Sequence, residues 1–313
     1  MVYLFFILSG FVFFWKYWLA VSDHLISFKN FFFLRITRLY PLHLATLLFV
    51  GVGQLFLRQY HNEQFIYSEN DLAHLIYNLF LASGVGWFGF SYNMPIWSVS
   101  IDFFLYLIFF LCAFLSGKKR FFVTLLMVFV GWQLIIHNFH THVIHPFVGR
   151  GLLSFFVGGI AFQAFHFLKS KNRKTWTLSL WISGTLTFSF WIFFFWFTYQ
   201  YPEDNHTDWF FRSVLFGFPF TILFLVQLET ENFFDAIFKK LAYLGDISYS
   251  VYLIQFPTQL FLFCISKYIP IDFSQDGIFL MYFAILISVS HASHRRFEIP
   301  AQRFLRSHFA SSQ

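Results

Sequence analysis

The sequence predicts an all-α, polytopic bundle of transmembrane helices, and three observations predict it. These are the composition, a series of apolar runs of membrane-crossing length, and basic residues gathered at alternate ends of those runs. Hydrophobic residues make up 58% of the 313 and charged residues 12%, too little charge to coat a soluble domain of this size. Disorder needs the opposite balance. Sixteen glycines, eight prolines and two cysteines exclude a collagen-like chain and a disulfide framework. Cys112 and Cys264 each lie in an apolar run, where a thiol behaves as a small hydrophobe.

A bilayer is crossed by about 20 apolar residues in a helix, which satisfies its backbone hydrogen bonds within the segment. Nine runs meet this pattern: 2–21, 39–57, 96–115, 121–136, 147–168, 176–198, 209–228, 247–266 and 278–291. The fourth is short and the ninth is the least apolar. The longest connection, 58–95, carries Glu63, Glu69 and Asp71, and its apolar stretch 72–81 predicts a short interfacial or re-entrant helix.

Sixteen of the 21 basic residues fall in one alternate set of connections, from Lys29, Arg35 and Arg38 to Arg295, Arg296, Arg303 and Arg306. The positive-inside rule then places the C-terminus in the cytoplasm and Met1 outside. The formal charge of +6 is thereby topological, and no nucleic-acid partner is expected. An apolar run that starts at Met1 with an outside terminus leads us to expect a preceding helix, and no secretory leader. The expected division is a membrane domain over 1–294, incomplete at its N-terminus, and a basic cytoplasmic tail over 295–313.

Ionisable groups at membrane depth are costly and mark functional candidates. Arg35 and Arg38 lie three apart before the second run, with Pro41 expected near a helix start, where its missing N–H costs nothing. Two guanidinium groups on one face suit a phosphate, and equally suit membrane anchoring. In Asn93-Met-Pro95-Ile-Trp97-Ser98-Val-Ser100-Ile-Asp102-Phe-Phe-Leu-Tyr106, the residues Ser98, Asp102 and Tyr106 repeat every fourth position and share a stripe. Asp102 is a candidate base or orienting group, or the partner of a buried arginine. Arg150, between Gly149 and Gly151, enters the fifth run from the outer side as a site residue or a snorkelling anchor. Ser248, Tyr252 and Gln255 line one face ahead of Pro257, as a binding surface or as interhelical hydrogen bonds. His137, His140, His142 and His145 match no standard metal spacing, so no metal is expected. The residues alone leave an enzyme and a transporter open.

Five blocks in register resemble the acyltransferase 3 family, multi-pass membrane enzymes that O-acylate cell-surface glycans. They are Leu4-Phe5-Phe6-Ile7-Leu8-Ser9-Gly10-Phe11, Arg35-Ile-Thr-Arg38-Leu39-Tyr40-Pro41, and Asn93 to Phe103 with its Trp97-Ser98-Val-Ser100 core. The others are Leu244-Gly245-Asp-Ile-Ser248-Tyr249-Ser250-Val-Tyr252-Leu253 and Arg296-Phe-Glu298-Ile-Pro300.

The resemblance implies acyl transfer from acyl-CoA, with acetyl the expected group, to a hydroxyl of a cell-surface or lipid-linked glycan. It implies a protein of the inner (plasma) membrane with no permanently bound cofactor. Arg35, Arg38, Ser248 and Tyr252 are the expected acyl-CoA contacts; Asp102, Ser98, Tyr106 and Arg150 are the expected catalytic residues. The chain also departs from the family. It begins at the family's second helix, so the histidine regarded as the base on the first is not among its thirteen. Asp102 replaces the usual Glu, Gln255 a frequent His, and Tyr3 a common acid. If the chain is active as it stands, proton transfer falls to His43 or Asp102. A transporter or flippase for an anionic or glycan substrate, or an inactive remnant, is the alternative.

Overall fold

The computed structural model describes residues 2–85, 90–116, 119–137, 146–200, 206–231, 235–269 and 276–310. Among these the regular structure is entirely helical, as expected. Six helices are long and apolar enough to cross a membrane, and three shorter apolar helices, Val2–Lys16, Arg120–Ile136 and Val214–Thr230, accompany them. Each of these helices overlaps a predicted run, six of them at membrane-crossing length. The expected helix in the long connection is α4, Leu72–Leu79, capped by Asp71, whose side chain accepts from His74 N.

The chain forms two compact units: Met1–Ser27 with Phe104–Lys239, and Phe28–Phe103 with Lys240–Gln313. The first holds α1 (Val2–Lys16), α2 (Trp18–Ser22), most of α5 (Ile96–Ser116), α6 (Arg120–Ile136), α7 (Pro146–Lys169), α8 (Arg173–Gln200) and α9 (His206–Thr230). Run 2–21 is divided at Tyr17, although Tyr17 N still donates to Phe13 O and Val21 N to Tyr17 O. Glycine lets α1 and α7 touch backbone to backbone: a Cβ on Gly10 would stand 1.8 Å from Phe155 O, and one on Gly158 1.9 Å from Ile7 O. Around this contact Phe6, Phe11, Phe14, Trp18, Phe109, Phe155 and Phe156 are fully buried, the use this unit makes of so phenylalanine-rich a sequence. Between α8 and α9, Ser183 donates to Gln227 Oε1 (2.8 Å) and Gln227 donates to Ser179 Oγ (2.7 Å). Such interhelical bonds replace the hydrophobic drive that lipid does not supply.

The second unit holds α3 (Phe28–His61), α4, the first turns of α5, α10 (Asp235–Ser266) from Lys240 onward, α11 (Asp276–Ser293), a π-turn (His294–Glu298) and α12 (Ile299–Ala310). Its core gathers Leu47, Val50, Leu57, Phe65, Tyr92, Phe256 and Leu260. One expectation is corrected here: Pro41 lies inside α3, not near its start. Nothing in Phe28-Lys-Asn-Phe-Phe-Phe-Leu breaks a helix, and membrane helices tolerate an internal proline when neighbours re-satisfy the freed groups. At 34 residues the helix is about 51 Å long and outreaches a hydrocarbon core of about 30 Å. Arg35 and Arg38 therefore stand within its second and third turns. Likewise α10 begins 12 residues before run 247–266, which puts Gly245 and Asp246 in helix as well. The basic tail is helical through Ala310, and Arg306 Nε donates to the buried Thr37 Oγ1 at 3.4 Å.

Candidate active site

Of the eight predicted site residues, Arg35, Arg38, Ser98, Asp102, Ser248 and Tyr252 belong to the second unit; Tyr106 and Arg150 belong to the first. The site is built here from the second unit.

The segment Tyr249–Leu253 of α10 joins three separate stretches of sequence through four hydrogen bonds. Tyr249 OH donates to Leu39 O at 2.6 Å, next to Arg38. Ser250 Oγ donates to Glu298 Oε1 at 2.7 Å. Tyr252 OH and Ser98 Oγ share a hydrogen bond of 2.7 Å. Leu253 O accepts from Asn93 Nδ2 at 3.1 Å. The last bond has a local cause. In an α-helix the carbonyl of residue 253 is served by the N–H of residue 257, and residue 257 is proline. Pro257 leaves Leu253 O without a helical donor, and the fully buried Asn93 amide supplies one. Asn93 O in turn receives Ile96 N as α5 begins, so one residue both opens α5 and completes α10.

Asp102 lies six residues into α5, with Oδ1 buried and without a hydrogen-bond partner. The positive charge of Arg38 acts on this carboxylate. Arg35 is half-buried and Arg38 exposed, so the outer guanidinium is open to an anion. Ser248 spends its hydroxyl on Gly245 O at 2.7 Å, a bond within its own helix, and makes no pair with Tyr252.

His43 is the residue that sequence spacing undervalued. It is fully buried in α3, and its Nε2 lies 2.8 Å from Asn78 O at the end of α4. A carbonyl oxygen can only accept, so Nε2 carries the hydrogen. In the neutral ring Nδ1 then holds a lone pair, and Nδ1 is buried without a partner. Asn78 is fixed in turn, its Nδ2 donating to His74 O (2.8 Å) and Ser91 Oγ (2.9 Å). A buried histidine with one nitrogen committed and the other vacant has the form of a held general base. The signal in the sequence was faint: a histidine one helical turn past Arg38, with its partner 35 residues away.

Glu298, quoted above only as part of the last block, was not among the predicted site residues. Buried at 3% exposure, it accepts from Ser250 and from Ser293 Oγ at 3.0 Å, with His294 Nδ1 3.7 Å from its other oxygen. It ties the π-turn and the tail helix to α10.

In the first unit Tyr106 stacks on Phe13, with ring centroids 4.3 Å apart. The Arg150 guanidinium sits 5.3 Å from the Phe211 ring centroid and donates to Tyr3 OH at 3.3 Å. Tyr3, a departure noted in the sequence, thus supplies a neutral oxygen to a cation. Of the histidine loop, His137 is exposed at the end of α6, while His140, His142 and His145 lie outside the described residues. Among described residues, Glu69, Asp71 and His74 come close enough to hold an ion. Their geometry is that of a helix cap, since Asp71 accepts from His74 N at 2.9 Å and from its Nδ1 at 2.7 Å.

The arrangement offers paired cations, a vacant nitrogen base, a carboxylate and a hydroxyl pair. Comparison with curated proteins and with solved structures gives no match. The family profile described as an acyltransferase domain matches residues 1–292, nearly the whole chain and all but the last of the blocks singled out above. This membrane protein, with its arginine pair on α3 and its hydroxyl pair between α5 and α10, belongs to the acyltransferase 3 family.

Proposed function

We propose that the chain catalyses acyl transfer from a CoA thioester to a hydroxyl of a cell-surface or exported glycan, in the inner (plasma) membrane, with acetyl as the group moved. The observation that carries this reading is the second unit's pairing of an exposed arginine with groups that can handle a proton. Arg35 and Arg38 present fork-shaped donors suited to the phosphates of CoA. Asp102 and Arg38 interact through their opposite charges. The acceptor oxygen attacks the thioester carbonyl carbon; a C–O bond forms and the C–S bond breaks. The hydroxyl proton passes to His43 Nδ1 in this chain and then to the departing thiolate, giving CoA. When Ser98 Oγ turns its hydrogen from Pro95 O to Tyr252 OH, the Tyr252 hydrogen becomes a donor for the oxyanion that develops on the carbonyl oxygen.

Binding and turnover test this separately. Purified protein in nanodiscs is titrated with CoA, and acyl-CoA consumption is followed with a glycan acceptor, with and without the family's first helix added as an N-terminal extension. Arg38→Gln should weaken CoA binding about tenfold, the loss of one charge-assisted contact. His43→Gln should leave CoA binding intact and abolish turnover of the chain as it stands. If turnover requires the extension and survives His43→Gln there, the base lies on the added helix and the role of His43 is refuted. Absence of CoA binding, with substrate crossing the membrane and no acyl-CoA consumed, would refute the acyltransferase reading in favour of transport.

A further inference from the structure

The pair α6 and α7 is tight at one end and open at the other. A Cβ on Gly131 would stand 2.7 Å from Leu153 N, and one on Gly149 2.9 Å from Leu134 Cβ, so the backbones meet there. At the opposite end Gln163 spaces the helices: its Nε2 donates to Thr124 Oγ1 at 2.9 Å, and Thr124 Oγ1 donates to Arg120 O at 2.6 Å. Beside this spacer lies a cavity of about 480 Å³. Arg120, Gln163 and His166 form its polar side, and Ile160, Ala164 and Phe167 its apolar wall.

The charge around the cavity is of one sign. No Asp or Glu occurs between Asp102 and Glu203. Among the described residues no carboxylate comes within 4 Å of Arg120, and its guanidinium lies 5.6 Å from the centroid of Phe162. Lys171 Nζ stands 4.2 Å from the centroid of the lining residue Phe167. The neighbouring Arg173, by contrast, is neutralised by Glu231 at 2.9 Å. A cation without a counter-charge, next to an apolar wall at the basic end of two membrane helices, calls for a ligand that is anionic at one end and hydrocarbon at the other. The volume falls in the range of small-molecule sites.

We propose that this cleft binds the phosphate of an anionic glycerophospholipid at Arg120, with an acyl chain laid along Ile160, Ala164 and Phe167. The test is native mass spectrometry of the full chain with palmitoyl-oleoyl phosphatidylglycerol, the matching phosphatidylcholine, and palmitoyl-CoA. One phosphatidylglycerol should be retained at least about tenfold more strongly than phosphatidylcholine, as for one charge-assisted contact. Arg120→Gln should erase that preference, Arg120→Lys should keep part of it, and Ala164→Phe should expel both lipids by filling the cavity. Arg173→Gln should change nothing. Equal retention of the two lipids, or a preference indifferent to both Arg120→Gln and Ala164→Phe, would overturn the proposal. Palmitoyl-CoA displacing phosphatidylglycerol in an Arg120-dependent way would also overturn it, because the phosphate would then be that of an acyl donor.

Discussion

The bond between Asn93 and Leu253 supports a prediction that tests the packing of the second unit directly. Pro257 removes the donor that Leu253 O would have had, and Asn93 replaces it from 160 residues away in sequence. Asn93→Ala leaves a buried carbonyl unserved. Interhelical hydrogen bonds in membrane proteins average about 0.6 kcal/mol and reach about 1.7, whereas an orphaned buried polar group costs about 1–3 kcal/mol. The second figure applies, because Leu253 O sits beside a fully buried amide with no helical alternative. We expect Asn93→Ala to destabilise the fold by about 1–3 kcal/mol. In a Pro257→Ala background, residue 257 regains an N–H that reaches Leu253 O, and the same substitution should cost less than about 1 kcal/mol. The assay is reversible unfolding in mixed micelles of the wild type, both single variants and the double variant. A double-mutant cycle removes whatever strain Pro257→Ala introduces by itself. An equal loss from Asn93→Ala in both backgrounds would refute the argument, since the carbonyl would then not depend on Asn93.

Three further outcomes follow from the same geometry. Glu298→Ala should free the tail helix, lowering stability by about 1.5–3 kcal/mol and raising protease sensitivity after Ser293, while Glu298→Gln retains an acceptor for Ser250 and Ser293 and loses less. Gly158→Ala should separate α1 from α7, because its Cβ would lie 1.9 Å from Ile7 O; a loss of more than about 2 kcal/mol is expected, read by thermal unfolding. Hydrogen bonds from His74, first from its backbone N–H and then from its side chain, hold the Asp71 carboxyl below its ordinary 3.8. A depressed folded value means that the cap is fully present above the ordinary value and is lost as pH falls through the lowered one. Amide protection in Leu72–Leu79, taken relative to the intrinsic exchange rate at each pH, should therefore fall on acidification below about pH 4, and Asp71→Asn, still a good cap, should flatten that response.

Helix positions were legible because hydrophobic runs are a local property: each residue's preference for lipid is written in its own side chain. Helix ends were less so. The helix through Arg35 starts at Phe28, and the one through Ser248 at Asp235, because turns that protrude from the hydrocarbon need no apolar run to remain helical. In the candidate site, the pattern of Ser98, Asp102 and Tyr106 identified one stripe of α5. Periodicity could not show that Tyr106 stacks on Phe13 while Ser98 pairs with Tyr252.

By itself the sequence determined that this is an all-helical membrane protein, and its five ordered blocks pointed to the family. The tertiary structure decided which groups meet: Ser98 with Tyr252, Ser250 with Glu298, Asn93 with the carbonyl stranded by Pro257, and His43 with Asn78. The physical reason is that a hydrogen bond is satisfied by whichever donor or acceptor helix packing brings within about 3 Å. Helix packing depends on small residues and side-chain shape across the whole chain, so the vacant nitrogen of His43 emerges only when α3 and α4 are set side by side.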